Sequence, residues 1–215
     1  MNYLAHALPH LHDPWLVAGT SLPDWLRFVR VRLQANRLLI APELLSLPAH
    51  SPAARLRAGA LHHHEDDRRF HADARFEALT TELARELRAL EADPRFRAST
   101  IAHVAIEMLV DAALLGSHPG SGERYYAALE ELEVDELAAA TRALVGEEVP
   151  HLPALHRRFL DARFILSYAS DGGVLRALDG VLVRTGLPVA PRAAAAVVAR
   201  ARPRVEALAG ELFPR

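Results

Sequence analysis

The run from Ile101 to Leu115 is apolar except at His103, Glu107 and Asp111. Four-residue spacing places these three on one line of a helix, and every other face is Ile, Val, Leu, Met or Ala,. The pattern predicts a helix buried nearly all round, with two carboxylates carried into the core. An unpaired buried carboxylate is costly or stays protonated, so the stripe requires a metal, a cation or a donor network. His-x-x-x-Glu on one helical face is a spacing that metal sites use.

A second polar stripe lies in Gly59-Ala-Leu-His-His-His-Glu-Asp-Asp-Arg-Arg-Phe-His71, where two registers compete. His62 and Asp66 share a face with Arg55 and Arg69, which reads as solvated. His63, Asp67 and His71 share a face with Leu56, Ala60 and Phe70, which reads as turned toward the core,. We take His63, Asp67 and His71 as the inward stripe. Two buried helices with imidazole and carboxylate along one line each can face one another and hold one or two divalent ions.

The remaining pattern predicts helices throughout. A short helix over 2–8 ends at Pro9. Asp13-Pro14 caps a helix to about Gly19, followed by a turn at Ser21–Trp25,. Residues 27–37 read as an amphipathic helix with a solvated arginine face, or as a patch for an anionic partner. A turn over Glu43–Leu47, the stripe helix from Pro52 to about Ala72, a packing helix over 74–91 and the second stripe helix over 99–115, stopped by Gly116, come next,. Helices near 122–132, 135–146 (Asp135 as cap), 152–170, 173–185 and 190–212 complete the chain. No segment sustains period-two alternation, so the expectation is an all-α, single-domain bundle of eight to ten helices. Its metal-site half would be 1–118, with 119–215 packing on it.

Composition narrows the chemistry. The 215 residues include no Cys, which excludes disulfides, thiolate nucleophiles and Cys-bound zinc, so a metal must sit on His and carboxylate,. With 25 basic and 27 acidic residues there is no global field for duplex nucleic acid, and every basic residue is Arg,. The N-terminus lacks the basic region of a signal peptide and no apolar run reaches bilayer-spanning length, so a cytoplasmic protein without membrane insertion is expected.

Asn2-Tyr-Leu-Ala-His6, Gly19 followed by Asp24-Trp25, Gly59/His63/Asp67 and the His103/Glu107 pair occur in an order that resembles the acyl-carrier-protein phosphodiesterase family. That family is an all-α group distantly related to the HD-type metal phosphohydrolases. Thr20 stands where it has Asn, His71 where it has Asp, and His103, Glu107 and Met108 where it has Asp, Asp and His. The resemblance covers residues 1–115. The order His-x-x-x-Asp then His-x-x-x-Glu is also similar to the zinc-dependent phospholipase C and single-strand nuclease group.

Both resemblances imply metal-dependent hydrolysis of a phosphoester, with a metal-activated water attacking phosphorus. The substrate would be a phosphorylated small molecule or a phosphopantetheinyl carrier protein. His63, Asp67, His103 and Glu107 would be direct ligands, with His6, Asp24 and His71 next. Asp67 and Asp111 are the catalytic candidates, Asp111 as ligand, general base or partner orienting a ligating His. Mn, Fe or Zn, as one ion or two, suits a nitrogen and oxygen donor set. Arg68 or Arg69 would contact substrate phosphate, while His62 and His64 flank the site. The alternative is a non-catalytic helical binding or scaffold protein whose buried His and carboxylate stripes satisfy one another.

Overall fold

The structure, a computed structural model, describes residues 3–91, 93 and 95–213. Among these residues there are twelve α-helices and no strand, so the fold is all-α, with slightly more helices than the pattern predicts. They are α1 (Tyr3–Ala7), α2 (Pro14–Phe28), α3 (Ala35–Ile40), α4 (Pro42–Leu45), α5 (Pro52–His71), α6 (Ala74–Leu90), α7 (Ala98–Ser117), α8 (Ser121–Glu130), α9 (Val134–Val145), α10 (Leu152–Ala162), α11 (Asp171–Arg184) and α12 (Ala194–Leu212). Two 3-10 segments, Leu8–His10 and Phe164–Ala169, link some of them.

The chain groups into two compact units, each drawing on both sides of residue 118. One takes in the described residues up to Ala5, 69–120 and those from 164 on; the other is 6–68 and 121–163. In the first, α7 packs against α6, α11, α12 and the 3-10 segment Phe164–Ala169. The expected polar stripe runs down α7 from a side chain 35 % exposed at His103 to 5 % at Glu107, and Asp111 is fully buried. Among the described helices α7 alone is long and apolar enough to cross a bilayer, and 67 % of its most apolar window is buried inside the protein, as in a core helix.

In the second unit, α2 packs on α8 and α10. Trp25 of α2 meets His156 and Phe159 of α10 edge-on, at 5.5 and 5.2 Å between ring centres. The Ser21 and Tyr125 hydroxyls share a hydrogen bond of 2.6 Å. α2 also crosses α5 at two glycines: a Cβ on Gly19 would lie 2.8 Å from Gly59 Cα, and one on Gly59 would lie 2.4 Å from the Leu16 carbonyl oxygen. Only glycine allows the backbones so close.

Several boundaries differ from the sequence expectation. α2 is one helix through Pro23, because unbroken burial from Val17 to Leu26 outweighs the penalty of about 3 kcal/mol for an internal proline,. The helix expected over 27–37 is absent. α2 closes at its end with Val31 N–H donating to the Leu26 carbonyl at 2.9 Å and Arg30 N–H to the Arg27 carbonyl at 3.2 Å. Arg30 takes the left-handed conformation, φ 61°, that this closure requires,. Gly116 does not stop α7; His118 N–H bonds the Leu114 carbonyl at 2.8 Å, and Gly120, φ 77°, makes the turn. α9 begins at Val134 with Glu133, not Asp135, as its cap, and α10 ends before Arg163, φ 39°.

Candidate metal centre

Two groups of three side chains have donor atoms lying within 4.8 Å of one another, and all six are residues the sequence singles out. In the second unit they are His6, His63 and Asp67; in the first, His71, His103 and Glu107. α5 contributes to both. Its apolar face is buried as expected at Leu56, Ala60 and Phe70, and His63 is 2 % exposed, but Asp67 is as accessible as Asp66, at 21 and 22 %, and His71 is exposed rather than turned inward, because it lies in the last turn of the helix.

In the first triad, His63 is 2 % exposed and its Nδ1 lies 2.8 Å from the Thr20 carbonyl oxygen. A carbonyl can only accept, so Nδ1 carries a proton, and the neutral ring has its lone pair on Nε2,. That Nε2 sits 3.4 Å from Asp67 Oδ2, and His6 Nε2 sits 3.2 Å from Asp67 Oδ1. Neither nitrogen is in hydrogen-bond alignment with any described group. The other nitrogen of His6 lies 3.5 Å from Asp66 Oδ2, and Asp66 also meets His62 Nε2 at 3.0 Å. A carboxylate or carbonyl behind each imidazole is the arrangement that orients metal-ligating histidines.

The donor separations fit an ion. Tetrahedral ligands at about 2.1 Å from a metal stand about 3.4 Å apart, against 3.2 and 3.4 Å here. The second triad has the same scale: His71 Nε2 and His103 Nε2 each lie 3.2 Å from Glu107 Oε1. Its histidines are about one-third exposed while Glu107 is buried, so this group opens toward solvent. Phe76 of α6 packs against both rings, at 5.3 and 5.1 Å.

Electrostatics follow from these contacts. Burial opposes a charge on His6, but proximity to the Asp66 and Asp67 carboxylates outweighs it and raises its pKa to about 9. Burial likewise opposes charge on Asp67, yet His6 and His63 hold it far below the usual carboxylate range. Glu107 is also held well below that range against its own burial, by His103 and His71 among its neighbours. Both carboxylates of the triads, Asp67 and Glu107, are thus ionised at neutral pH,.

Two expected residues lie outside both triads. Asp24 is 3 % exposed and its Oδ1 lies 3.6 Å from Arg27 Nη1. Asp111 accepts hydrogen bonds from the backbone N–H groups of Leu4 at 3.1 Å and Ala5 at 2.9 Å, one on each oxygen. It caps α1, the helix that carries His6. Asp66, read from sequence as solvated, stands behind His6. His10, not singled out, stacks edge-on against His62 at 4.5 Å. The i, i+4 spacing of His62 and Asp66 was the available signal. No protein family, curated protein or solved structure matches the chain.

Proposed function

We propose that this chain is a metal-dependent phosphoester hydrolase, with His6, His63 and Asp67 holding one divalent ion and His71, His103 and Glu107 able to hold another. The observation that carries the reading is His63: its Nδ1 proton is committed to the Thr20 carbonyl, and its buried Nε2 is turned on Asp67 without a hydrogen bond. A nitrogen lone pair and a carboxylate at ligand spacing inside a protein call for a cation. Phosphoester hydrolysis rests on the resemblance of the motifs to the acyl-carrier-protein phosphodiesterases, and the substrate is a phosphorylated small molecule or a phosphopantetheinyl carrier protein.

A bound Mn, Fe or Zn ion would supply Lewis acidity toward a phosphoryl oxygen and acidify a water. The chain does the rest. Thr20 and Asp66 fix the ring orientations of His63 and His6, and Asp67 sets the charge at one atom's reach from both imidazoles. Asp111 positions α1 through two amides.

A second reading has an observation of its own. His6 between Asp66 and Asp67, with its pKa raised to about 9, is what a self-paired network without metal would contain. Such a protein would be a helical binding or scaffold protein. The test is the metal content of freshly purified protein by mass spectrometry, beside His63→Ala and Glu107→Ala variants of confirmed fold. Metal in the parent and its loss in the variants, together with hydrolysis of an aryl phosphodiester, supports the hydrolase. A parent that holds no metal and binds none on titration sinks it.

A further inference from the structure

At the end of α2 the chain keeps an arginine where glycine is the ordinary choice. Arg30 is the residue just beyond the helix, φ 61°, with the paired closing bonds of Arg30 and Val31 described above. The left-handed conformation brings a Cβ too close to the next carbonyl oxygen and favours glycine. From Arg30 the chain runs without helix to α3 and walls a cleft of about 790 Å³, a size that takes a small molecule,. Arg27, Arg30, Arg32, Gln34, Asn36 and His64 line it, with no carboxylate among its lining residues.

These arginines differ from others nearby in the same unit. Arg37 donates from Nε to the Leu144 carbonyl at 3.0 Å and pairs with Glu43 at 2.9 Å, and Arg57 donates to the Leu38 carbonyl at 2.6 Å. Those side chains pin backbone. Arg27 has Asp24 at 3.6 Å, while the guanidinium groups of Arg30 and Arg32 make no hydrogen bond or ion pair to a described residue. Three guanidinium groups and two side-chain amides around one cleft form a donor-rich wall against one compensating carboxylate,. Guanidinium forks match phosphate oxygens in pairs. The wall also adjoins the triad: His64, which lines the cleft, meets His63 edge-on at 5.5 Å.

We propose that this cleft is an anion subsite that holds a phosphate group of the substrate beside the His6, His63 and Asp67 triad. Of the two substrate classes it selects small esters that carry a second phosphate. This rests on the phosphoester reading of the triad; the cleft's capacity for the anion does not. The strained Arg30 is retained for its side chain, and the fold would be better served by glycine there.

The experiment titrates inorganic pyrophosphate into chelator-treated, dialysed protein by calorimetry, so that neither metal nor turnover enters. Parent and His63→Ala should bind one equivalent. Arg27→Gln, Arg32→Gln and Arg30→Gly should each weaken binding about tenfold, the loss of one charge-assisted contact, and Arg30→Gly should do so with no fall in unfolding temperature. No binding by the parent, arginine variants that bind as the parent does, or binding lost in His63→Ala alone would overturn the proposal. Pyrophosphate bound by the arginines in a protein that hydrolyses no phosphodiester would leave the cleft standing and remove the hydrolase. Conversely, an active protein whose KM does not rise when the second phosphate is removed from its ester would remove the subsite and leave the hydrolase.

Discussion

Replacing Gly59 by alanine tests whether the close crossing of α2 and α5 builds the first triad. The new Cβ would lie 2.4 Å from the Leu16 carbonyl oxygen and 2.8 Å from Gly19 Cα, where ordinary contact begins at 3.4 Å. Both near neighbours are backbone, so the helices must part by about 1 Å, and overpacking of this kind costs about 1–3 kcal/mol. One turn along α5, His63 Nδ1 is 2.8 Å from the Thr20 carbonyl oxygen of α2. The same displacement stretches that bond to about 3.8 Å, beyond hydrogen-bond range, and forfeits about 1 kcal/mol more. Better helix propensity of alanine returns about 0.5–1 kcal/mol.

The net loss is about 2 kcal/mol, or about 4–8 °C in unfolding temperature for a chain of this size. With its backing carbonyl withdrawn, His63 should bind metal about 10–100-fold more weakly. Calorimetric unfolding and metal titration of chelator-treated protein measure both quantities. Gly116→Ala is the control, since a Cβ there meets nothing within 4 Å; it should leave metal affinity alone and raise stability by about 0.5–1 kcal/mol. A Gly59→Ala protein that melts and binds metal as the parent does would refute the argument.

Glu107→Gln removes the carboxylate that both His71 and His103 face, and metal affinity at that triad should drop at least about 100-fold by titration; unchanged stoichiometry and affinity would show that the group holds no ion. Metal must displace the proton from His6, whose pKa is raised to about 9, so affinity should fall about tenfold per pH unit on acidification below that value, and a flat profile between pH 6 and 9 would contradict it. For the metal-free protein the sign reverses. A raised folded pKa means that the His6 contribution is fully present below about 6.5 and is lost as pH rises through about 9, so its unfolding temperature should decline across that window. Asp111→Ala leaves the Leu4 and Ala5 amides without their acceptor and should destabilise the protein by about 3 kcal/mol in chemical denaturation; a loss under 1 kcal/mol would mean that α1 does not depend on it.

The line His103, Glu107, Asp111 was legible because three polar residues interrupt an otherwise apolar helix, and nothing but a buried stripe explains that pattern. The register of α5 was legible for the same reason, through Leu56, Ala60 and Phe70. What periodicity cannot convey is which distant segment each stripe meets. The grouping of His6 with His63 and Asp67, and of His71 with the α7 pair, depends on helix packing between segments far apart in the chain. Asp66 looked solvated beside Arg55 and Arg69 because the sequence gives no sign that His6 stands over it. Pro23 looked like a terminator because local rules weigh the lost hydrogen bond and not the burial of ten successive residues around it. The stretch 27–37 looked helical because its arginines have helical spacing, and a left-handed arginine leaves no signature in residue type.

The grip of Asp111 on Leu4 and Ala5 spans 107 and 106 positions of chain. Closing a loop of that length costs about 4 kcal/mol in chain entropy, and α1, five residues long, cannot persist as an isolated helix before it docks. During synthesis α1 must wait, without its acceptor, until α7 has emerged and formed. A helix made so long before its acceptor is late to settle, and the imidazole of His6 arrives with it.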